Sequence, residues 1–138
     1  MRLWHKDLIP YLPRQQLLGQ WRECCAIAKS IHDKGSPNHI LVNKVLDYPT
    51  EHFNRYAGMV RDEMLRRGYN CDFDKFMQYR KFCPRQISDD EVFKGWHTYR
   101  YLIQCLCNLQ EKYDCGGINE EEWLVIASRF DDEMRFCP

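Results

Sequence analysis

The chain has 138 residues, 44% of them hydrophobic, with eight cysteines and a formal net charge of zero. That length fits one domain over 1–138 with enough apolar side chain for a real core, and no run approaches the ~20 consecutive apolar residues of a membrane span. A neutral balance argues against a protein that simply coats nucleic acid. The opening Met-Arg-Leu-Trp-His-Lys-Asp lacks the apolar stretch of a signal peptide, so the expectation is a cytoplasmic protein without membrane contact.

Charge is unevenly spread. Residues 1–100 hold 17 Lys/Arg against 12 Asp/Glu, and residues 101–138 hold 3 against 8. One part can therefore face phosphates while the other stays solvated, although an ordinary dipolar surface has the same signature. Among the cysteines no Cys-x-x-Cys pair occurs: Cys24 and Cys25 are adjacent, Cys105 and Cys107 flank one residue, and Cys71, Cys83, Cys115 and Cys137 stand alone. Zinc-finger or ribbon spacing is missing even with His39 or His97 included. No metal is expected, and the thiols are read as reduced, small hydrophobes.

In chain order, a first helix is predicted over 13–31, with proline in the first turn, where its missing N–H costs nothing. Leu17, Trp21, Cys24, Ala28 and Ile31 recur at helical spacing as one apolar stripe. Lys34-Gly35-Ser36-Pro37 then breaks the chain. Residues 39–48 are ambiguous, since Ile40, Leu41, Val42 and Val45 suit a short helix or an extended piece. A second helix is predicted over 50–67, burying Phe53, Tyr56, Ala57, Val60 and Met64, with Gly68 at a left-handed cap. After a tyrosine-rich connector, Ser88-Asp-Asp-Glu91 reads as a capping box opening the longest helix, with Val92, Trp96, Tyr99, Ile103, Leu106 and Tyr113. Cys115-Gly116-Gly117 ends that helix, and Asn119 caps a last short one holding Trp123, Ile126 and Phe130. The fold expected is an all-α bundle of three long helices plus a short C-terminal one. Its core is predicted around Leu17, Trp21, Phe53, Tyr56, Val60, Trp96, Tyr99 and Ile103.

With its stripe turned inward, the first helix shows Gln15, Gly19, Arg22, Glu23, Ala26 and Ser30 on the opposite face. Gly19 and Ala26 leave shallow ground on which a cation and a carboxylate stand out, and a bulky backbone can approach closely. An ordinary solvated ion pair fits the same pattern.

The stretch Leu12-Pro-Arg-Gln-Gln-Leu-Leu-Gly-Gln-Trp-Arg-Glu23 resembles the first helix of the pyrimidine-dimer DNA glycosylase family, Leu-Ala-Asp-Gln-His-Leu-Met-Ala-Glu-Tyr-Arg-Glu, at the same distance from the N-terminal methionine. Glu63-Met-Leu-Arg-Arg-Gly-Tyr-Asn70 is similar to that family's Glu-Cys-Leu-Lys-Arg-Gly-Phe-Asn. His39-Ile40 is faintly similar to a Gly-His-Val of the family in the segment between, and together these cover about half the chain.

The resemblance implies a glycosylase and abasic-site lyase of damaged double-stranded DNA, working without metal or cofactor. In that family the N-terminal α-amine attacks C1′ of the damaged nucleotide, displaces the base and holds the sugar as an imine, after which the 3′ phosphate leaves. A terminal amine suits this because a useful fraction is neutral near pH 7. Carried over, Met1 supplies the amine, Glu23 is the essential carboxylate and Arg22 contacts DNA. Residue 2 is arginine where the family exposes a threonine amine, so the amine lies one residue further from the glutamate. Gln16 and Ala26 replace a family histidine and arginine. Arg2, Lys6, Arg14, Gln15 and Arg22 are expected to line one concave DNA-binding surface on a monomer, with the acidic last helix away from it. Two other readings remain beside this one: a non-catalytic damaged-DNA-binding protein of the same fold, and a protein-interaction module anchored by Trp4, Trp96 or Trp123.

Overall fold

The computed structural model describes residues 1–82 and 87–138; Cys83, read above as a thiol, lies outside them. The described residues contain no strand. The order is a 3₁₀ helix (Lys6–Tyr11), α1 (Arg14–Lys34), a second 3₁₀ helix (Asn43–Asp47), α2 (Thr50–Arg66), α3 (Asp74–Met77), α4 (Tyr99–Asp114), α5 (Glu120–Arg129) and α6 (Asp131–Met134). The all-α expectation is met. The count of three long helices and one short is corrected to this larger set.

Local rules account for several boundaries. α1 ends where Gly35 turns left-handed at φ 75°, its N–H bonding the Ile31 carbonyl. Gly68 (φ 78°) follows α2 and Gly116 (φ 84°) follows α4 in the same conformation. The Asn119 side chain accepts from the Glu122 N–H at 2.8 Å, and three glutamates fill the first turn of α5, where the helix dipole favours them.

The predicted start of the longest helix is wrong by about ten residues. Residues 89–96 form turns rather than helix. Phe93 takes φ 53° and Gly95 φ 93°, both incompatible with a right-handed helix. Phe93 is fully buried beside Tyr48, Tyr56, Trp96 and His97, and this aromatic packing outweighs the cost of its backbone conformation. α4 therefore begins at Tyr99, with Thr98 accepting from the Tyr101 N–H. The shorter helix turns Leu102, Cys105, Leu106 and Leu109 inward. Tyr99 is more than half exposed and Ile103 half-buried, so neither belongs to the core; the other six predicted core residues do.

α1 packs on α2 and α3, while α4, α5 and α6 pack on one another. The N-terminal segment joins the two groups. Leu3, Trp4, Leu8, Ile9 and Leu12 are buried in the common core. Its backbone is tied on one side to Gln20 and Tyr56 and on the other to His97 and Tyr101. The second family-like stretch serves the same segment: Arg67 donates to the carbonyls of Leu12 (2.8 Å) and Pro10 (3.1 Å) and to Glu63 (2.7 Å). Burial disfavours the Glu63 anion, yet bonds from Arg66 and Arg67 bring its pKa below the usual value.

The cysteines depart from the all-thiol expectation. Cys107 on α4 and Cys137 form a disulfide. Cys24 and Cys105 are buried thiols, and Cys25 and Cys71 are half-buried, with burial pushing each of the latter two up to about 11. These four remain protonated, as small hydrophobes do. Among the described residues no helix is long and apolar enough to cross a membrane.

Candidate active site

The site is built on a buried amide. Gln20 lies on α1 one turn before Glu23 and is 1% exposed. Its Oε1 accepts from the Trp4 N–H at 2.7 Å. Its Nε2 donates to the Arg2 carbonyl at 3.0 Å and to Glu23 Oε2 at 3.2 Å. The Tyr56 hydroxyl lies 2.5 Å from the Trp4 carbonyl and 3.0 Å from Gln20 Oε1, its single proton serving both. From the far side, Tyr101 donates to the Leu3 carbonyl at 2.6 Å. Burial raises both phenols' pKa values, so they stay donors. Residues 2–4 thus have almost no freedom, because release would strand several buried polar groups.

This seating brings the chain's start onto Glu23. The Arg2 peptide N–H donates to Glu23 Oε2 at 3.3 Å. The Met1 α-amine is one residue further out, on a Cα about 3.8 Å from that of Arg2. Met1, Arg2, Trp4, Glu23, Leu41, Asn108 and Lys112 line one cleft of about 250 Å³. Beside it, sharing Arg2 and Leu41, lies a cleft of about 470 Å³ that also includes Ile40, Lys44, Trp96, Arg100 and Tyr101. The Arg2 guanidinium sits 5.5 Å from the Trp4 ring.

The other expected site residues divide. Arg22 is exposed on α1 next to Glu23, and its Nη2 lies 3.7 Å from where a Cβ on Gly19 would stand. Gln15 is exposed two turns earlier on that open face. Arg14 is at the N-terminal end of α1, with its guanidinium over Tyr69 and its N–H bonded to Glu122 at 2.6 Å. The acidic helix α5 therefore caps α1, which corrects the expectation that it lies away from Arg14.

Lys6 is the clearest correction. It is buried, and its Nζ donates to the Asp90 and Val92 carbonyls at 2.8 Å each. Desolvation lowers its pKa, with Asp7, Asp90 and Asp89 acting in the opposite direction. The ammonium ties down the 89–96 turns and is not offered to phosphates. Beneath it, His5 and His97 are both buried. The Lys6 N–H donates to His97 Nδ1 (3.0 Å) and the Asp7 N–H to His5 Nδ1 (3.1 Å), so each ring is a neutral acceptor there. Burial pushes His97 down to about 2.

Gln20, Tyr56, Tyr101, Asn108 and Lys112 were not foreseen from sequence. Gln20 had one signal: a polar residue between Leu17 and Trp21 at the margin of the apolar stripe. Asn108 and Lys112, four residues apart on one face of α4, had none. Among the described residues no group of three or more His, Cys, Asp or Glu is placed to hold a metal ion.

The all-α fold thus seats its first residues on a helix-borne carboxylate, in a cleft that Arg2 and Lys112 also line. The profile described as pyrimidine dimer DNA glycosylase matches residues 1–77, the part that supplies Met1, Arg2, Gln20 and Glu23, and the chain belongs to that family. No curated protein and no solved structure matches the chain.

Proposed function

We propose that this chain is a DNA glycosylase and abasic-site lyase of damaged duplex DNA, pyrimidine dimers or related lesions, acting through an imine on the Met1 α-amine. The observation that carries the reading is the Gln20 seat, which puts Met1 and Glu23 in one cleft. A buried, fully bonded glutamine that spends its donors on a backbone carbonyl and a half-exposed carboxylate is a positioning device.

In this reading the neutral amine forms a bond to C1′ as the glycosidic bond breaks and the base leaves with the bonding electrons. The Glu23 carboxylate stabilises the positive charge that develops on the sugar. It then carries protons as the ring opens to the imine and as C2′ gives up a proton, its bonding pair forming the C2′–C3′ double bond that expels the 3′ phosphate. Because C1′ is hard to reach in stacked duplex, the nucleotide is extruded. Arg2, Arg22 and Lys112 balance phosphate charge around it, and Gln15 contacts the backbone further along α1. Lys6, whose ammonium is held by two backbone carbonyls, takes no part.

Borohydride trapping on a duplex with one abasic site tests this. The expected adduct maps to the Met1 peptide by mass spectrometry and is abolished by N-terminal acetylation. An adduct that survives acetylation assigns the chemistry to a lysine and overturns the site. No adduct, with no cleavage of dimer-containing DNA, replaces the enzyme with a non-catalytic damage-binding protein.

A further inference from the structure

The cleft carries an apolar projection that the amine–glutamate chemistry does not use. Ile40 is 85% exposed, the most exposed large hydrophobic side chain among the described residues, and its neighbour Leu41 is 48% exposed. Single exposed hydrophobics are common and need no account. These two are adjacent, at the tip of a turn, and both line the larger cleft; Leu41 also lines the one that holds Met1 and Glu23.

The turn is built to hold that tip. The Val42 and Asn43 N–H groups both donate to the His39 carbonyl, at 3.0 and 2.9 Å. His39 N–H donates to Asn43 Oδ1 at 3.0 Å, and Leu41 N–H to His39 Nδ1 at 3.2 Å. Just before it, Asn38 takes φ 56° with its N–H on Ser36 Oγ. Pro37, Val42 and Val45 are buried on either side and anchor the base. A hydrogen-bonded turn with buried flanks that nonetheless presents adjacent Ile and Leu side chains to water places them for contact with something outside the chain.

Charge identifies the occupant. Arg2, Lys44, Arg100 and Lys112 line the two clefts, against Glu23 as the acidic lining residue. In a chain of zero net charge this is a local cation excess, suited to a polyanion. An apolar tip in clefts lined by cations suits a duplex, which offers phosphates beside an apolar base stack.

Resting on the DNA reading above, we propose that Ile40 and Leu41 form a wedge that enters the base stack at the damaged site and fills the space left by the extruded nucleotide. Apolar side chains that insert between base steps kink and unstack the duplex in just this way. Burying two aliphatic side chains offsets part of the unstacking cost. The wedge also predicts a preference for sites where stacking is already weakened.

The test compares the wild type with Ile40→Ser and Ile40→Leu on two substrates, a duplex with one abasic site opposite 2-aminopurine and the same abasic strand unpaired. Binding of wild type to the duplex is expected to raise 2-aminopurine fluorescence. Ile40→Ser is expected to lose that rise and to lower the duplex-to-single-strand trapping ratio by roughly tenfold, while Ile40→Leu keeps both. Matching thermal melts establish that the exposed substitution leaves the fold intact. If Ile40→Ser alters neither fluorescence nor ratio while wild type traps both substrates, the wedge is wrong and the lyase reading stands. If wild type traps neither substrate but still raises fluorescence and Ile40→Ser does not, the wedge stands without the chemistry. Concentration-dependent self-association that Ile40→Ser abolishes makes the tip a contact between copies and overturns the proposal.

Discussion

The two halves of this molecule use polar groups in opposite ways. In residues 1–77, the buried polar side chains are His5, Lys6, Gln20, Asn54 and Glu63, and several of them tie the first six residues in place. Beyond residue 77 the described buried polar side chain is His97, and it reaches back to Lys6. The acidic α4–α6 region otherwise follows simple rules: side-chain caps, an apolar face and solvated carboxylates. A buried polar group is costly unless every bond is made, so a fold concentrates them where geometry matters more than stability. The family match falls on that half. The C-terminal half supports it from outside, capping α1 with Glu122, pinning Leu3 with Tyr101 and lending Lys112 to the cleft.

The largest expected effect separates chemistry from scaffold. Glu23→Gln keeps the acceptor shape and removes the charge, so single-turnover cleavage of abasic duplex falls by about 10²–10⁴ while DNA affinity is kept or rises. Rapid-quench assays beside binding titrations read this. Wild-type cleavage by Glu23→Gln makes the N-terminal half a scaffold as well.

The disulfide belongs wholly to the other half. Closing a separation of 30 residues, it contributes roughly 3.6 kcal/mol in the chain-entropy picture. Reduction is expected to lower the unfolding free energy obtained from urea titration by that order and to leave the Met1 adduct in place. A thiol titration in denaturant is expected to find two fewer reactive groups without reductant than with it; equal counts mean that the bond is not made.

Acid is expected to attack the seam between the halves. His97 titrates at 6.5 when unfolded and is pushed down to about 2 when folded; burial lowers His5 as well. Below pH 6.5 the unfolded chain takes up protons that the folded chain refuses. The His97 share of stability is thus present above pH 6.5 and falls towards about 1.4 kcal/mol per pH unit as pH drops below it, with His5 adding in the same direction. Urea unfolding at pH 7, 6 and 5 measures the slope, and His97→Gln is expected to remove one proton's share. A flat profile contradicts neutral, buried rings.

The smallest effect distinguishes two cations that look alike in the sequence. Arg22→Ala is expected to reduce the log–log salt slope of duplex binding by about one. Lys6→Met is expected to leave that slope alone and to destabilise the fold, because two backbone carbonyls lose their donor. Equal slope changes put Lys6 on the DNA surface after all.

What the amino-acid order determined by itself is local. The helices around Leu17–Trp21 and Phe53–Val60, the Asn119 cap, the left-handed glycines and the open face bearing Arg22 and Glu23 all follow from spacings of three or four residues, set by bonds between near neighbours. Tertiary structure decided the rest. Whether Lys6 faces solvent, where α4 begins and how Met1 comes to share a cleft with Glu23 depend on pairs 52, 91 and 98 residues apart, Tyr56 with Trp4, His97 with Lys6 and Tyr101 with Leu3. No periodicity encodes such pairs, because each partner's role exists only once the other has been brought beside it. The same separation explains why Arg22 and Glu23 were legible on one helix wheel, while Gln20 became visible only when its four partners were in place.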